Sequence, residues 1–212
     1  VSLCAEVPLG TELLVLPELA ASVYNIHDKK AAMAQSESTD GPTFQALSPV
    51  ARQHNTWVVV GFIEREGEDL YNAALVIDPT GTLISTYRKC LLYEIDERWA
   101  TPGNADYRVF HTETGSFTVG ICMDINDPKF IEWVTQAKPR AIAFPTNWVA
   151  EGIPVWSYWA WQLRDSTTTL IAADTWGSEG PVTYAGESVI LRNNAILAGA
   201  RSTGNLLISA QI

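Results

Sequence analysis

Cys122 occupies a position at which a cysteine can act as a nucleophile. It follows a strand-like segment, residues 117–121, in which Phe, Val and Ile alternate with Thr and Gly. A stop at Asp127-Pro128 and a helical pattern over residues 129–136 come next. This order puts the sulfur at a turn near a helix N-terminus, where the dipole favours the nucleophilic thiolate. A buried structural cysteine is the alternative interpretation of this stretch alone.

Two other apolar segments end on an ionisable side chain. Glu18 follows Leu13-Leu-Val-Leu-Pro17, and Lys89 lies just after Leu83-Ile-Ser-Thr-Tyr87. Burial of an unpaired charge at a strand end costs several kcal/mol. Together the three strand ends would supply a general base, a cation that stabilises an oxyanion, and a nucleophile. Each charge taken alone also fits an ordinary solvated strand end.

The composition limits the kinds of partner. With 212 residues, 47% of them apolar, the chain can form one domain with a sizeable core, and we expect a single domain over residues 1–212. A net charge of −10 argues against nucleic acid and anionic membranes as partners. Three cysteines give no disulfide framework and fit a reducing compartment, so we expect a cytoplasmic protein. No Cys/His cluster has metal-ligand spacing, so we expect no metal site.

The hydrophobic pattern predicts a mixture of strands and helices. Residues 43–54 are expected to form a helix in spite of Pro49, and Asp78-Pro-Thr-Gly81 is expected to form a tight turn. Strands are expected at residues 57–63, 71–77, 83–87, 141–148, 169–176, 188–191, 195–198 and 205–212. This alternation favours an α/β or α+β class.

The ordered set of segments resembles the nitrilase, or carbon–nitrogen hydrolase, superfamily over most of the chain. The matching segments are "LLVLPEL" with Glu18, "GPTFQALSPVARQHNTWVVVGFIERE", "LYNAALVIDPTGTLISTYRK" with Lys89, "TPGN", "GICMDIN" with Cys122, "FPTNW" and "YAGESVILRNNAILAGA". The resemblance implies a four-layer α-β-β-α sandwich and a Glu18–Lys89–Cys122 triad. It also implies cleavage of a non-peptide C–N bond, with no metal and no organic cofactor.

The segment "GICMDIN", with "YRKCLLYEIDERW" before it, is most similar to the branch of amidases and protein N-terminal amidases. The implied reaction is cysteine-dependent hydrolysis of a carboxamide to acid and ammonia through a thioester, with the backbone N–H of Met123 helping Lys89 to hold the oxyanion. Hydrolysis of a nitrile or an N-carbamoyl group, acyl transfer to an amine, and a non-catalytic truncated member are the alternatives.

The loop after Lys89 departs from the pattern of many relatives. Leu91 stands where they have a histidine, and they carry a second active-site glutamate in this loop. Glu97, in Glu-Arg-Trp, is the better match for that glutamate and Asp96 is the fallback. A solvated acidic loop is the alternative. Cys90 is expected to be structural, since it points away from the Lys89 face.

The resemblance also suggests residues that contact the substrate. Asn147 and Trp148 end a strand that lines the pocket in the family, although Trp148 also fits an ordinary core position. Asp174 stands where many relatives have Asn, and it is expected either to pair with a substrate ammonium or to hydrogen-bond Thr or Trp neighbours. The expected partners are a small-molecule or N-terminal amide and a second copy of the chain in a dimer.

Two expectations concern local structure. Asp124 and Asn126 are expected to orient the turn after Cys122 or to cap the helix that follows. Relatives usually open with a strand before the Pro-Glu strand, whereas residues 1–7 here resemble the end of a helix. The sequence therefore predicts an N-terminally truncated domain without the first strand, which leaves a sheet edge or a gap.

Overall fold

The computed structural model describes residues 4, 6–22, 26–201 and 204–212. The first sheet has the order β1-β2-β3-β4, with β1 parallel to β2 and the other pairs antiparallel. Its strands are β1 (Leu13–Val15), β2 (Trp57–Glu66), β3 (Asp69–Ile77) and β4 (Leu83–Arg88). Within the described residues, β1 therefore lies at an edge of this sheet.

The second sheet has six strands in the order β12-β11-β8-β7-β6-β5. Its strands are β5 (Phe110–His111), β6 (Ser116–Val119), β7 (Ala141–Thr146), β8 (Thr169–Asp174), β11 (Val189–Arg192) and β12 (Ala195–Gly199). The central strands β6, β7 and β8 are parallel, so their carboxyl ends meet at one edge. A separate two-stranded ribbon consists of β9 (Trp176–Glu179) and β10 (Val182–Ala185).

The described residues form four α-helices. They are α1 (Lys29–Gln35), α2 (Pro42–His54), α3 (Pro128–Ala137) and α4 (Val155–Gln162). The helix α2 covers the outer face of the first sheet, α3 and α4 cover that of the second, and α1 packs against Ile63 and Leu70 of the first sheet. Asp28 caps α1 by accepting a hydrogen bond from the backbone of Ala31, and Pro49 lies inside α2 without ending it. Among the described residues no helix is both long and apolar enough to cross a membrane.

Alternation along the strands explains why the layers form. Val58 and Val60 of β2 pack with Leu47 and Ala51 of α2, whereas Val59 points to the other sheet. Because strand residues alternate between faces, a strand segment buried on both sides is apolar throughout, as β2 is from Trp57 to Ile63.

The second sheet is built in the same way. Ile142 and Phe144 pack against α3 and α4, while the small residues Ala141 and Ala143 face the first sheet. The order of layers is helix, sheet, sheet, helix, and the predicted α-β-β-α sandwich is confirmed.

Some predicted elements differ from the structure. Residues 205–212 form no strand, and α1 and the β9–β10 ribbon were missed because their segments are short and polar. The predicted helix end at residues 1–7 lies largely outside the described residues, since 1–3 and 5 are not described.

Candidate active site

Glu18 lies just after β1, where the chain passes directly against β2. The backbone N–H of Gly61 donates to the carbonyl of Pro17 at 3.1 Å, and the N–H of Ala20 donates to the carbonyl of Gly61 at 3.0 Å. A Cβ on Gly61 would lie only 2.6 Å from the Cα of Glu18. A glycine is therefore needed for this close approach, which leaves Glu18 only 1% exposed.

Lys89 follows β4 and is fully buried beside two carboxylates. Its Nζ lies 2.8 Å from Oε1 of Glu18 and 2.6 Å from Oδ2 of Asp96. Burial lowers the pKa of Lys89, but the charges of Asp96 and Glu18 outweigh burial, so the pKa lies well above its usual range. Lys89 is therefore an ammonium that bridges the two carboxylates.

Asn72 of β3 completes this buried cluster, and sequence reasoning missed it. Its Nδ2 donates to Oε1 of Glu18 at 2.7 Å and lies 3.3 Å from Oδ1 of Asp96. Its backbone carbonyl accepts from the N–H of Lys89 at 2.8 Å. The available signal was a polar residue inside the apolar run of β3, since a buried amide is stable only when it is hydrogen-bonded.

The structure corrects the choice between the two acidic residues in the following loop. Glu97 was preferred, but its side chain is exposed to solvent. Asp96 is fully buried and contacts Lys89 and Asn72. Both residues lie in one 3-10 turn (Asp96–Arg98). Successive side chains of such a turn point in different directions. An assignment that is off by one residue therefore selects the exposed side chain in place of the buried one.

Cys122 lies at a strained turn after β6. Its φ is +44°, a left-handed conformation that is uncommon for a residue with a Cβ, and the side chain is 5% exposed. A five-residue 3-10 helix, Cys122–Asn126, follows it. The longer helix α3 begins only at Pro128, with Asp127 as its cap. Cys122 is therefore not at the N-terminus of an α-helix, as the sequence pattern had suggested.

The electrostatics of the buried sulfur also differ from the prediction. Burial raises the pKa of the Cys122 thiol and the charge of Glu18 raises it further, while Lys89 and hydrogen bonds from Thr146 and Asn147 oppose them. The net pKa lies well above the ordinary range, so the resting sulfur is a neutral thiol rather than a dipole-stabilised thiolate. A base must take its proton before it can attack. Burial likewise raises the pKa of the Glu18 carboxyl, with Lys89 opposing, which favours Glu18 as a proton acceptor.

Asp124 connects the turn at Cys122 with the segment after Lys89. Its carboxylate accepts hydrogen bonds from four donors: the Tyr87 hydroxyl at 2.8 Å and the backbone N–H groups of Ile121, Cys90 and Leu91, each at 2.9 Å. Burial raises its pKa to about 6. Asp124 therefore orients the turn, as one alternative predicted, whereas Asp127 caps α3.

Asn126 forms a second contact from this turn. Its Oδ1 accepts hydrogen bonds from the hydroxyl of Tyr158 at 2.6 Å and from Nε2 of Gln162 at 2.8 Å. Asn126 therefore joins the turn to α4 and does not cap α3.

We expect Asp124→Asn to lower kcat by about a hundredfold with a smaller change in KM. The amide nitrogen replaces one oxygen and cannot accept, so either the N–H groups of Cys90 and Leu91 or the Ile121 N–H and the Tyr87 hydroxyl lose their acceptor. The link between the two segments is then weakened and Cys122 shifts against Lys89; a misplacement of about 1 Å costs on the order of a hundredfold. Steady-state kinetics beside thermal unfolding would measure both effects. Asp127→Asn, which touches only the α3 cap and Tyr107, is the matched control. Normal kcat in both variants would exclude a positioning role for Asp124.

A small pocket of about 50 Å³ lies at the sulfur of Cys122. It is lined by Tyr93, Cys122, Met123, Asn147, Trp148, Val149 and Glu151. The pocket therefore brings together Cys122 and three of the residues expected to contact the substrate, namely Met123, Asn147 and Trp148. The backbone N–H of Asn147 donates to Oε2 of Glu18 at 2.9 Å, which ties this wall to the carboxylate.

Asp174 does not line this pocket. Its Oδ1 accepts from the backbone N–H of Trp148 and its Oδ2 from that of Glu187, each at 2.9 Å. Burial raises its pKa to about 7. The prediction that Asp174 meets a substrate ammonium finds no support in this geometry. Both carboxylate oxygens accept hydrogen bonds from the backbone of the neighbouring segments, which is closer to the predicted alternative of a local hydrogen-bonding role.

A much larger cleft, of about 820 Å³, is lined by β1, by residues of β6, β7 and β8 in the second sheet, and by the carboxyl-terminal residues 206–212. Neither Glu18, Lys89 nor Cys122 lines it. The larger cleft is therefore not the candidate reaction site in spite of its size, because the small pocket is the one that Cys122 lines.

The chain matches the carbon–nitrogen hydrolase family model over residues 1–212. It belongs to the carbon–nitrogen hydrolase family. A nitrilase of Pyrococcus abyssi (strain GE5 / Orsay) is 30% identical over 198 residues, which cover 92% of this chain and 74% of that protein. A protein N-terminal amidase of Schizosaccharomyces pombe is 30% identical over 129 residues, but the match covers 57% of this chain and only 45% of the relative. The chain thus spans less than half the length of that amidase.

Two solved amidase structures have the same fold as this chain. A mutant of the amidase from Nesterenkonia sp. AN1, with acrylamide added at its active-site cysteine, superposes with a TM-score of 0.79 at 21% identity, covering 91% of this chain and 76% of that one. An N-terminal amidase with an Asn-Glu-Ala peptide gives a TM-score of 0.74 at 15% identity, covering 84% of this chain and 80% of that one. At these identities the similarity establishes the fold, which is that of the nitrilase-type amidases.

Proposed function

We propose that this protein hydrolyses a carboxamide to a carboxylic acid and ammonia, with Cys122 as nucleophile, Glu18 as general base and Lys89 as the cation that stabilises the oxyanion. The observation that carries the proposal is the buried Glu18–Lys89 pair, whose two charges both act on the Cys122 thiol at the floor of a pocket. A cysteine with a purely structural role would not require a buried ion pair beside its thiol.

The acylation step follows from the charges of these groups. Glu18 accepts the thiol proton while the Cys122 sulfur bonds to the amide carbon, and the C=O π electrons move to oxygen. Lys89 and the backbone N–H of Met123 stabilise that oxyanion; such preorganised donors are typically worth a few kcal/mol each. The C–N bond then breaks as Glu18 returns its proton to the leaving nitrogen, which gives ammonia and a thioester.

Deacylation uses the same groups in reverse order. Glu18 takes a proton from water as the water oxygen attacks the thioester carbon, and the oxyanion forms again beside Lys89 and Met123. Collapse expels the sulfur, Glu18 protonates it, and the acid is released. Glu18 thus acts first as base and then as acid, which microscopic reversibility requires of a single group in both steps.

We propose that Asp96 and Asn72 act through the catalytic groups rather than on the substrate. Asp96 keeps the buried Lys89 side chain charged. Burial lowers the pKa of Lys89, and the carboxylate of Asp96 opposes this by raising it. Asn72 holds the Glu18 carboxylate at the Lys89 side by donating to Oε1. Both contacts reduce the number of orientations that the pair can adopt, so less reorganisation is needed during reaction.

A screen for ammonia release tests the proposed reaction. Primary amides, N-carbamoyl amino acids and nitriles would be incubated with the protein and with Cys122→Ala in parallel. We expect ammonia from at least one primary amide, and none from any compound with the variant. Ammonia from nitriles or carbamoyl compounds alone would assign a different reaction to the same cysteine, and no ammonia from any compound would contradict the proposed hydrolysis.

A further inference from the structure

The mouth of the Cys122 pocket carries one carboxylate that the proposed mechanism does not use. Of the seven residues that line the pocket, only Glu151 has a carboxylate side chain. The side chain is exposed to solvent. Within the described part of the chain it takes part in no ion pair, so its charge is available to a group that enters from outside.

The backbone next to Glu151 is anchored to the β9–β10 ribbon. Val149 forms a β-bridge with Tyr184, and the N–H of Ala150 donates to the carbonyl of Thr183 at 2.8 Å. These contacts hold the segment at the pocket, so the position of Glu151 at its mouth is set by two backbone pairings on the preceding residues.

The other charges near the mouth do not offset Glu151. No Lys or Arg lines the pocket, and Lys89 lies fully buried behind it, already paired with Glu18 and Asp96. Burial raises the pKa of Tyr93, and the charges of Glu151 and Glu94 raise it further. The mouth therefore has a negative field, which attracts cations and repels anions.

The lining of the pocket places Glu151 beside the path to the sulfur. Cys122 and Glu151 line the same small pocket, Cys122 buried and Glu151 exposed to solvent. A substrate whose carbonyl carbon reaches the Cys122 sulfur through this pocket therefore places the adjoining part of the molecule close to Glu151.

We infer that Glu151 forms a subsite for a positively charged group, and that the preferred substrates are amides carrying an ammonium close to the reacting carbonyl. The inference rests on the proposed function for its chemistry, although the charge preference of the pocket does not depend on turnover. An amide carrying a carboxylate at the same place is disfavoured by repulsion from Glu151.

Matched pairs of amides test the substrate preference. 4-Aminobutanamide and pentanamide differ only by an ammonium in place of a methyl group, as do 3-aminopropanamide and butanamide. We expect the cationic member to have the higher kcat/KM, and Glu151→Gln to reduce the cationic-to-neutral ratio about fivefold, the scale of one charge pair in high dielectric. Rising salt should reduce the ratio in the wild-type protein and leave it nearly constant in Glu151→Gln.

Two further variants sharpen the comparison. Glu151→Lys should reverse the preference, so that succinamate is hydrolysed with higher kcat/KM than 4-aminobutanamide. Glu94→Gln removes an exposed carboxylate near Tyr93 that does not line the pocket, and the ratio should change there by less than about twofold. An equal loss in Glu94→Gln and Glu151→Gln would overturn the inference, because it would show a diffuse field and not a subsite.

A labelling experiment tests the same charge without turnover. The Cys122 sulfur attacks a methanethiosulfonate, forms a mixed disulfide and expels methanesulfinate. Reagents with a 2-(trimethylammonio)ethyl or a 2-sulfonatoethyl group differ in charge at similar size, and peptide mapping separates Cys122 from Cys4 and Cys90. We expect faster modification of Cys122 by the cationic reagent, and a cationic-to-anionic rate ratio that falls about fivefold or more in Glu151→Gln.

The two experiments separate failure of the inference from failure of the proposed function. Amide hydrolysis with unchanged ratios in Glu151→Gln, in kinetics and labelling, would overturn the subsite and leave the amidase standing. A Glu151-dependent labelling ratio in a protein that hydrolyses no amide would support the subsite and remove the proposed reaction.

Discussion

Cys122→Ala is expected to abolish amide hydrolysis while leaving the fold intact. The side chain is buried at the floor of the small pocket, and alanine removes the only atom that forms a bond with the substrate in the proposed mechanism. Because the proposed reaction proceeds through an acyl-enzyme on Cys122, removal of this nucleophile should lower the rate by several orders of magnitude. Ammonia release would measure turnover, and thermal unfolding would show whether the variant is folded.

Cys90→Ala is the matched control for this variant. Cys90 is half-buried near the Tyr87 hydroxyl, and the bond that ties its segment to Asp124 comes from its backbone, which alanine retains. We expect turnover within about threefold of wild type, since the change removes a side chain outside the catalytic cluster. An active Cys122→Ala variant, or a Cys90→Ala variant as inactive as Cys122→Ala, would contradict the assignment.

Alkylation gives a second measure of the nucleophile. We expect iodoacetamide to label Cys122 faster than Cys4 or Cys90, because the reagent is itself a small carboxamide and Glu18 can take the thiol proton. Burial raises the pKa of all three thiols, so thiolate content alone does not favour Cys122. Peptide mapping that found Cys90 labelled first would show that the pocket does not activate its cysteine.

Much of the fold and three central residues of the site were predictable from local pattern. Glu18, Lys89 and Cys122 follow the apolar strands β1, β4 and β6. In the second sheet the parallel strands β6 and β7 bring the residues after them, Cys122 and Asn147, to a common edge. The layers follow from strands that are apolar on both faces, since such strands need cover on each side. These features depend on sequence-local alternation, which is why the sequence alone revealed them.

The parts that escaped prediction depend on contacts between distant segments. Asn72 contacts Glu18 across 54 positions of sequence, and Asp124 contacts the backbone after Lys89 from the 3-10 helix that follows β6. A local sequence pattern contains no information about contacts between such distant residues. The error between Asp96 and Glu97 has a different cause: direction within a 3-10 turn changes at every residue, so placement within one residue is required.

Asp174 shows why a strand-end carboxylate is not sufficient evidence of a binding role. Like Glu18, it is buried at the end of a strand. Its oxygens, however, accept from the backbone of Trp148 and Glu187, while one oxygen of Glu18 contacts the ammonium of Lys89. The difference lies in the partner of the carboxylate, and only the three-dimensional structure supplies that partner.

Glu18→Gln and Lys89→Met should each reduce the rate of acylation by at least about a thousandfold, the scale of a lost general base or oxyanion donor. Glutamine retains the shape of Glu18 but cannot take the thiol proton, so Cys122 stays a neutral thiol. Methionine retains the length of Lys89 but leaves the oxyanion without its cation. Single-turnover measurement of thioester formation would report acylation directly.

The two variants should differ in stability, and this difference tests the geometry. In Glu18→Gln, Lys89 retains Asp96 as an ion-pair partner at 2.6 Å. In Lys89→Met, Glu18 and Asp96 remain buried without a cation, and breaking a buried pair in this way costs about 3–5 kcal/mol. We therefore expect a clearly lower midpoint of thermal unfolding for Lys89→Met than for Glu18→Gln.

Glu64→Gln distinguishes loss of catalysis from general loss of a buried ion pair. Glu64 is buried and pairs with Arg88 through two hydrogen bonds of 2.7 Å, one residue before Lys89, but it does not line the Cys122 pocket. We expect it to lower stability while acylation stays within about tenfold of wild type, because the Glu18–Lys89 contact is retained. If Glu64→Gln lost acylation as fully as Glu18→Gln, or if Glu18→Gln acylated at a near-normal rate, the buried pair would be a structural ion pair and Cys122 would need another base.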